Sequence, residues 1–299
     1  MLTTDFQPGS PCWLDLGAPD TDAAAAFYGE LFGWEFHSLG SEAMGYGFFQ
    51  QGGKTVCALG PLMDEDARSA WTLYFQTADA DATTKAVEQA GGVVRVAPMD
   101  VFTEGRLAAY TDPAGAEFAV WQPGDTRGVD VVNDPGTLCW SELHTPDPAG
   151  ARAFYGSVFG WDTEDMPMDG FTYTVLSTAG GGREAAFGGS MPEGPDEQPR
   201  WLPYFEVADA DAIVARAQEL GGRVVLPAAT AEGIGRMARL ADRTGRSSPS
   251  SRATTRRRRS PVRGRATPVA TRRDGRHRAG GPTSGGPPGR RTHRRQQVP

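Results

Sequence analysis

Acidic and imidazole side chains alternate with apolar ones in two segments of the second half of the sequence. Glu142 and His144 are two residues apart in the first segment, and Tyr204 and Glu206 are two apart in the second. Side chains two residues apart in a β-strand point to the same face of the sheet. If both segments are strands of one sheet, Glu142, His144 and Glu206 could exchange protons or bind a divalent metal ion. A hydrogen-bonded polar lining is the alternative.

A related set of residues occurs in the first half of the chain. Trp13 and Asp15 lie 127 residues before Trp140 and Glu142, but a glycine stands where the second half has His144. Aromatic residues with a few polar neighbours are typical of ligand pockets, although they could also only fill the core. The candidate ligand-binding residues are Trp13, Asp15, Tyr74, Trp121, Trp140, Glu142, His144, Tyr204 and Glu206.

These residues lie on an internally repeated sequence. The segment Cys12–Trp34 returns as Cys139–Trp161, and both copies contain a Phe-Tyr-Gly triplet followed by Phe-Gly-Trp. A second unit begins at Trp71 and returns at Trp201, and both of its copies contain Ala-Asp-Ala-Asp before a Gly-Gly pair. Self-similarity at a fixed spacing indicates duplication of a structural unit. The chain is therefore predicted to contain four strand–helix–strands units.

Local signals set the expected boundaries of these units. Asp20 is placed to cap a helix whose apolar positions recur at helical spacing, and Gly33 is placed to end it. Short apolar runs on either side of Gly52 and Gly53 predict a β-hairpin. The four units pair into domain 1 (residues 8–123) and domain 2 (residues 136–245), joined by a polar linker, 124–135.

The last part of the chain differs sharply from the rest in charge. Residues 243–299 hold 17 of the 30 basic residues but only one of the 37 acidic residues. The ending of domain 1, Ala-Glu-Phe-Ala-Val, is missing from domain 2, and a shift of one base within permitted codons restores it after Gly245. We infer that the sequence is out of frame from about residue 243 or 246. We expect domain 2 to lack its last strand and residues 246–299 to be a disordered, arginine-rich tail.

The sequence also limits the cellular setting. Three cysteines without metal-ligand spacing favour a reducing compartment. The start of the chain has no signal-peptide pattern, and no apolar run is long enough to span a membrane. A cytoplasmic protein is expected. Its basic tail could contact nucleic acid through phosphates, but the tail has no aromatic residue for base stacking, which makes nucleic acid an unlikely partner.

Taken together, these motifs resemble the vicinal oxygen chelate superfamily, which includes glyoxalases, bleomycin-resistance proteins and extradiol dioxygenases. The resemblance covers about residues 1–245 and implies an α+β fold of tandem glyoxalase-like domains, each with two βαβββ modules around a cleft. Metal-dependent members bind a divalent ion there through His and Glu. The matching positions of this chain are Trp13, Thr72, Trp140, Leu202 and Ala119.

Because these positions hold almost no metal ligand, the resemblance implies a binding protein more readily than a metalloenzyme. We expect a small apolar or aromatic molecule to bind in the module clefts, with no cofactor. The alternative is a metal-dependent lyase, isomerase or dioxygenase that uses Glu142, His144 and Glu206. Neither the ligand nor the oligomeric state follows from the sequence.

Overall fold

A computed structural model describes residues 1–62, 69–194, 197–231, 234–242 and 252–257. The protein has a mixed α+β fold in which two similar halves follow one another along the chain. The elements of the first half are β1 (Pro11–Ala18), α1 (Thr21–Phe32), β2 (Glu35–Ser38), β3 (Gly47–Gln51), β4 (Lys54–Pro61), β5 (Ala70–Gln76), α2 (Ala80–Gln89), β6 (Val93–Val101), β7 (Gly105–Thr111) and β8 (Glu117–Pro123).

The second half repeats this order of elements. They are β9 (Leu138–Thr145), α3 (Pro148–Phe159), β10 (Asp162–Met168), β11 (Phe171–Ser177), β12 (Ala186–Pro192), β13 (Arg200–Glu206), α4 (Ala210–Glu219), β14 (Arg223–Ala231), β15 (Gly235–Ala241) and β16 (Arg252–Arg257). Short 3-10 helices lie at Ser41–Ala43 and Gly182–Ala185. The prediction of four strand–helix–strands units is confirmed.

Each half forms one eight-stranded sheet. The first sheet has the order β2-β3-β4-β1-β5-β8-β7-β6, and the second has the equivalent order β10-β11-β12-β9-β13-β16-β15-β14. The two modules of each sheet join through an antiparallel pair, β1 with β5 and β9 with β13. The candidate residues of both modules therefore come together on the central strands of their sheet.

The helices begin and end where the sequence predicts. The carboxylate of Asp20 accepts a hydrogen bond of 2.9 Å from the backbone N–H of Ala23 and so caps α1. Gly33 ends α1 in the left-handed region, with φ of 74°, a conformation that glycine adopts without steric cost. Asp147 and Gly160 take the same roles at α3. These caps fix the direction in which the chain leaves each central strand.

The apolar sides of the two sheets share one core. Phe75 of the first sheet packs against Trp161 and Trp201 of the second half, with ring centroids 5.0 Å and 5.1 Å apart. Phe205 packs in the same way against Trp34 and Trp71 of the first half, and its ring centroid lies 5.4 Å from that of Trp34. Residues of both halves consequently belong to one compact unit, Met1–Arg259.

Hydrogen bonds between the halves strengthen this packing at two matching places. The Tyr155 hydroxyl donates to Asp112 over 3.1 Å and accepts from the Trp201 indole over 2.9 Å. In the opposite direction, the Tyr28 hydroxyl donates to Asp242 over 3.4 Å. The tyrosine of each Phe-Tyr-Gly motif therefore forms a hydrogen bond with the other half of the protein.

The end of domain 2 differs from the expectation of a missing strand. Strand β16, Arg252–Arg257, pairs in parallel with β13 and antiparallel with β15. This is the place that β8 occupies in the first sheet, between β5 and β7. The expectation of an empty strand position is therefore wrong, because the backbone of a later segment fills it. Residues 246–251 and 258–299, the rest of the predicted disordered tail, lie outside the described residues, as do residues 243–245 at the end of the predicted domain 2.

Within the described part of the chain, no helix is both long enough and apolar enough to cross a membrane.

Candidate functional site

The second sheet encloses a cavity of about 660 Å³. Its walls are mostly apolar and come from strands of both modules of domain 2, with Met1 from the start of the chain. Five methionines line the cavity, and methionine side chains adapt to irregular shapes because they are unbranched and flexible. The apolar and aromatic lining residues include Trp140, Met166, Met168, Phe171, Val175, Met191, Leu226, Ile234 and Met237.

Glu142 forms the polar floor of this cavity. Its Oε1 accepts a hydrogen bond of 2.6 Å from the Tyr204 hydroxyl and lies 2.7 Å from Nε2 of His144. Its Oε2 accepts a bond of 3.0 Å from the Tyr173 hydroxyl. Burial alone would raise the pKa of the Glu142 carboxyl, but the hydrogen bonds and charge of His144, with the two tyrosines, hold this pKa below its ordinary value.

Tyr173 is held in place from two sides. Its hydroxyl accepts a hydrogen bond of 2.9 Å from the Trp140 indole while it donates to Glu142. The ring lies directly over Gly189, where an added Cβ would come within 2.1 Å of the hydroxyl oxygen. Only glycine permits this approach. The absence of a side chain at Gly189 on β12 therefore leaves room for the Tyr173 hydroxyl beside the cavity.

From Glu142, a chain of ionisable groups leads away from the cavity. His144 is almost completely buried, and its Nδ1 is in hydrogen-bond contact with Glu193, the residue after β12. Arg200 pairs with the same Glu193 oxygen over 2.9 Å. The hydrogen bond from His144, aided by nearby cations including Arg200, lowers the pKa of the Glu193 carboxyl to about 2. Both carboxylates that flank His144 are thus stabilised in the ionised form.

Arg239 adds a cation to the cavity wall. It lies two residues from Met237 on β15, on the same face of the strand, and both side chains line the cavity. Only 9% of its surface is exposed. One terminal nitrogen lies 3.2 Å from Nε2 of His144, and Nε has no hydrogen-bond partner among the described residues.

Domain 1 contains a matching group of side chains. The Tyr74 hydroxyl donates to Asp15 over 2.8 Å, as Tyr204 does to Glu142. Tyr46 hydrogen-bonds to the Trp13 side chain, and Phe48 packs edge-on against Trp13 with centroids 5.7 Å apart. Burial raises the pKa of the Asp15 carboxyl to about 6, although hydrogen bonds from Tyr74 and a neighbouring threonine partly oppose the shift. Trp13, Asp15 and Tyr74 remain predicted ligand contacts.

Two predicted site residues lie away from these groups. The Trp121 indole donates to the Thr126 carbonyl over 2.8 Å, which ties this ring to the predicted linker. On β13, Leu202 is opposite Glu142, so Glu206 lies four residues further along the strand. At about 3.3 Å per residue, this separation is about 13 Å. The structure therefore does not bring Glu206 to Glu142 and His144, and the three-residue metal site is wrong.

The remaining donors do not fit a divalent metal ion. Both ring nitrogens of His144 already contact carboxylates, and both oxygens of Glu142 accept hydrogen bonds. The guanidinium of Arg239 lies 3.2 Å from Nε2 of His144, which puts positive charge where a cation would have to bind. No group of three or more metal-ligating side chains occurs among the described residues.

Three residues of the site were not found from the sequence. Tyr173 lies 127 residues after Tyr46, so the repeat spacing alone could have identified it. Arg239 has Ala109 as its counterpart 130 residues earlier, and this difference between the copies is also visible in the sequence. Glu193 gives no sequence signal, because it contacts His144 only through the folding of β12 beside β9.

Comparisons with known proteins agree with this architecture. The chain is 42% identical over 240 residues to the anthracycline biosynthesis protein DauV of Streptomyces sp. (strain C5), covering 74% of this chain and 85% of the relative. It is 35% identical over 249 residues to the putative glyoxylase CFP32 of Mycobacterium bovis (strain ATCC BAA-935 / AF2122/97), covering 81% and 94%.

Solved structures share the fold at low identity. A Mn(II)-bound glyoxalase from Novosphingobium aromaticivorans superposes with a TM-score of 0.56 at 19% identity, over 84% of this chain and 82% of that chain. The halotolerant catechol dioxygenase BphC gives a TM-score of 0.58 at 14% identity, over 84% and 87%. The profile of one family matches residues 12–120 and 127–246. This chain belongs to the Glyoxalase/Bleomycin resistance protein/Dioxygenase superfamily.

Proposed function

We propose that this protein binds a small apolar or aromatic molecule in the domain 2 cavity, without a metal ion. One observation carries the proposal: a cavity of about 660 Å³ has apolar walls and a floor formed by the hydrogen-bonded carboxylate of Glu142. Pockets for small molecules have volumes of roughly 300–1,000 Å³ and combine apolar walls with a few fixed polar groups.

The polar groups of the cavity floor are better suited to binding and orienting a ligand than to metal-assisted chemistry. Glu142 accepts hydrogen bonds from both tyrosines, so the hydroxyl oxygens of Tyr173 and Tyr204 are held in fixed positions beside the cavity. The metal-dependent alternative loses its third donor because Glu206 lies elsewhere on β13. A ligand would instead rest against Trp140 and the methionines, with its polar atoms near Tyr204.

The relatives suggest the size and shape of the ligand. The Streptomyces relative named for anthracycline biosynthesis shares 42% of its aligned residues with this chain. Anthracyclines contain a planar fused-ring system, so a planar polycyclic molecule is the natural first probe. The three free cysteines of the protein are all buried, which fits the reducing interior of a cell, and we propose a cytoplasmic location.

Titration with anthraquinone, a neutral planar ring system, tests this proposal. Quenching of tryptophan fluorescence should report saturable binding of one equivalent. Met237→Trp fills the cavity and should weaken binding at least about tenfold, or about 1.4 kcal/mol. Leu107→Trp makes the same addition at the matching position of domain 1 and is the control. Binding that Met237→Trp leaves unchanged, or no binding to the unaltered protein, would contradict the proposal.

A further inference from the structure

We propose that the domain 2 cavity selects an aromatic ligand that carries an ionised oxygen, a phenolate or enolate, and that Arg239 binds this oxygen. The inference rests on the proposed function and adds the chemical class of the ligand. It is carried by a buried cation on the cavity wall whose hydrogen-bonding capacity the described residues do not fill.

Arg239 is the unusual feature of this wall. Its side chain is about nine-tenths buried, yet it makes no ion pair with a carboxylate among the described residues. Its Nε–H also lacks a hydrogen-bond partner within the described part of the chain. An unpaired buried donor is destabilising, and a charged one is more so. A ligand oxygen that pairs with the guanidinium would offset this cost on binding.

The nearby carboxylates are already committed to other partners. Glu142 accepts from Tyr173 and Tyr204 and contacts His144. Glu193 contacts His144 and pairs with Arg200 over 2.9 Å. Neither one therefore forms a direct pair with the Arg239 guanidinium, although Arg239 contributes to the lowered pKa of Glu193.

The tyrosine hydroxyls favour a hydroxylated ring over a simple anion. The Tyr204 proton points to Glu142, so the lone pairs of the Tyr204 oxygen can accept a hydrogen bond from a ligand. A ring with an ionised oxygen and an adjacent hydroxyl could use Arg239 as its donor and Tyr204 as its acceptor. The apolar walls, including Met237 and Phe171, would contact the ring itself.

Other charged groups around the cavity define the local field. Glu142 faces it from β9, Tyr173 from β11, Tyr204 from β13, Arg183 from the short helix before β12 and Met1 from the start of the chain, while His144 lies behind Glu142. Arg183 is largely exposed and already pairs with Glu164 over 2.7 Å. Arg239 is therefore the buried cation that remains available, whereas Arg183 provides a control for loss of a positive charge at the same cavity.

Alizarin, a dihydroxyanthraquinone whose colour reports ionisation of its phenol, tests the inference. Its visible spectrum is recorded as a function of pH, free and bound to the full-length protein. We expect binding to lower the apparent pKa of the phenol by about one unit or more, equivalent to about tenfold tighter binding of the phenolate than of the phenol. Arg239→Met should abolish the shift, and Arg183→Met should preserve it.

Two further measurements keep the test decisive. Arg239→Lys retains the charge and should keep a downward shift, and saturable binding of neutral anthraquinone to Arg239→Met should show that the variant still forms the cavity. An alizarin pKa that binding leaves unshifted, or that shifts equally in Arg239→Met, would overturn the inference and leave the proposed function standing. Failure of anthraquinone to bind the unaltered protein would instead remove the proposed function itself.

Discussion

Domains 1 and 2 build the same arrangement around a carboxyl group on the first strand of each sheet. In both, a tyrosine from the second module donates to the carboxyl group, over 2.8 Å in domain 1 and 2.6 Å in domain 2. In both, a second tyrosine hydrogen-bonds to a tryptophan side chain. The corresponding pairs are Trp13 with Trp140, Asp15 with Glu142, Tyr46 with Tyr173 and Tyr74 with Tyr204.

The two arrangements differ in the cations beside the carboxyl group. Domain 2 has His144 and Arg239, where domain 1 has Gly17 and Ala109. Without a cation, burial raises the pKa of Asp15 to about 6, whereas His144 holds the pKa of Glu142 below its ordinary value. The two carboxyl groups therefore titrate in different pH ranges, and they differ in charge between the ordinary carboxyl range and about pH 6.

The largest expected effect concerns the last strand of each sheet. Strand β8 buries Phe118 and Val120 almost completely, whereas β16 has the sequence Arg-Ala-Thr-Thr-Arg-Arg. Replacing residues 246–299 by the sequence of residues 116–123 should stabilise domain 2 by roughly 3–6 kcal/mol, because two large apolar side chains become buried. Urea unfolding measures the change.

Truncation after Gly245 is the matched control for that replacement, because it removes the same residues and adds no strand. It should give no such gain. If the replacement is no more stable than the truncation, the inferred frame shift loses its structural support.

Removal of the charge of Glu142 should destabilise the protein by roughly 1.5–3 kcal/mol at neutral pH, because Glu142→Gln weakens the charged hydrogen bonds from Tyr173 and Tyr204 and the contact with His144. The pKa of Glu142 is lowered in the folded protein, so its contribution is present above the ordinary Glu value of about 4.3 and is lost at lower pH. Chemical unfolding at several pH values should show the two proteins converging in acid. Glu164→Gln, at an exposed ion pair, should cost less than about 1 kcal/mol.

The equivalent change in domain 1 should have the opposite sign. Asp15→Asn keeps an oxygen that can accept from Tyr74 but removes a charge that burial disfavours. Because the pKa of Asp15 is higher in the folded than in the unfolded protein, the wild-type chain loses stability as the pH rises from about 4 to about 6. The variant should be more stable at pH 8 by at most about 3 kcal/mol, with the gain vanishing near pH 4. A variant less stable at pH 8 would break the comparison.

A smaller change should bring the pKa of Asp15 closer to that of Glu142. The double substitution Gly17→His and Ala109→Arg copies the cations of domain 2 into domain 1. A Cβ at Gly17 would lie 2.9 Å from the tip of Leu62, a flexible side chain that can move aside. The pKa of Asp15, followed by carbon NMR of its carboxyl group, should fall by about one unit, or about 1.4 kcal/mol. Gly17→Ala with Ala109→Leu tests for an effect of size alone.

The sequence was sufficient to predict the modules, the helix caps and the common face of β9 that Trp140 and Glu142 occupy. These features depend on local spacing and on the duplication. The position of Glu206 was not predictable in the same way, because alternation defines the face of a strand but not the level along it. The pairing of β13 with β9 sets that level, and it depends on long-range packing.

Long-range contacts also explain the residues that sequence reasoning missed. Tyr173 acquires its role by lying over Gly189 of the neighbouring strand, and Arg239 acquires its role by reaching His144 from β15. In each case the residue type is ordinary, and only the neighbours make it part of a site. Comparing the two copies position by position recovers part of this information, since Arg239 replaces an alanine.

Carbon NMR titration of the Asp15 and Glu142 carboxyl groups in one sample tests the divergence of the two domains most directly. The two resonances are assigned with Asp15→Asn and Glu142→Gln. We expect Asp15 to titrate with a pKa of about 6 and Glu142 to remain ionised below its ordinary value. Titration of both groups at the same pH, or of Glu142 at a higher pH than Asp15, would contradict the account.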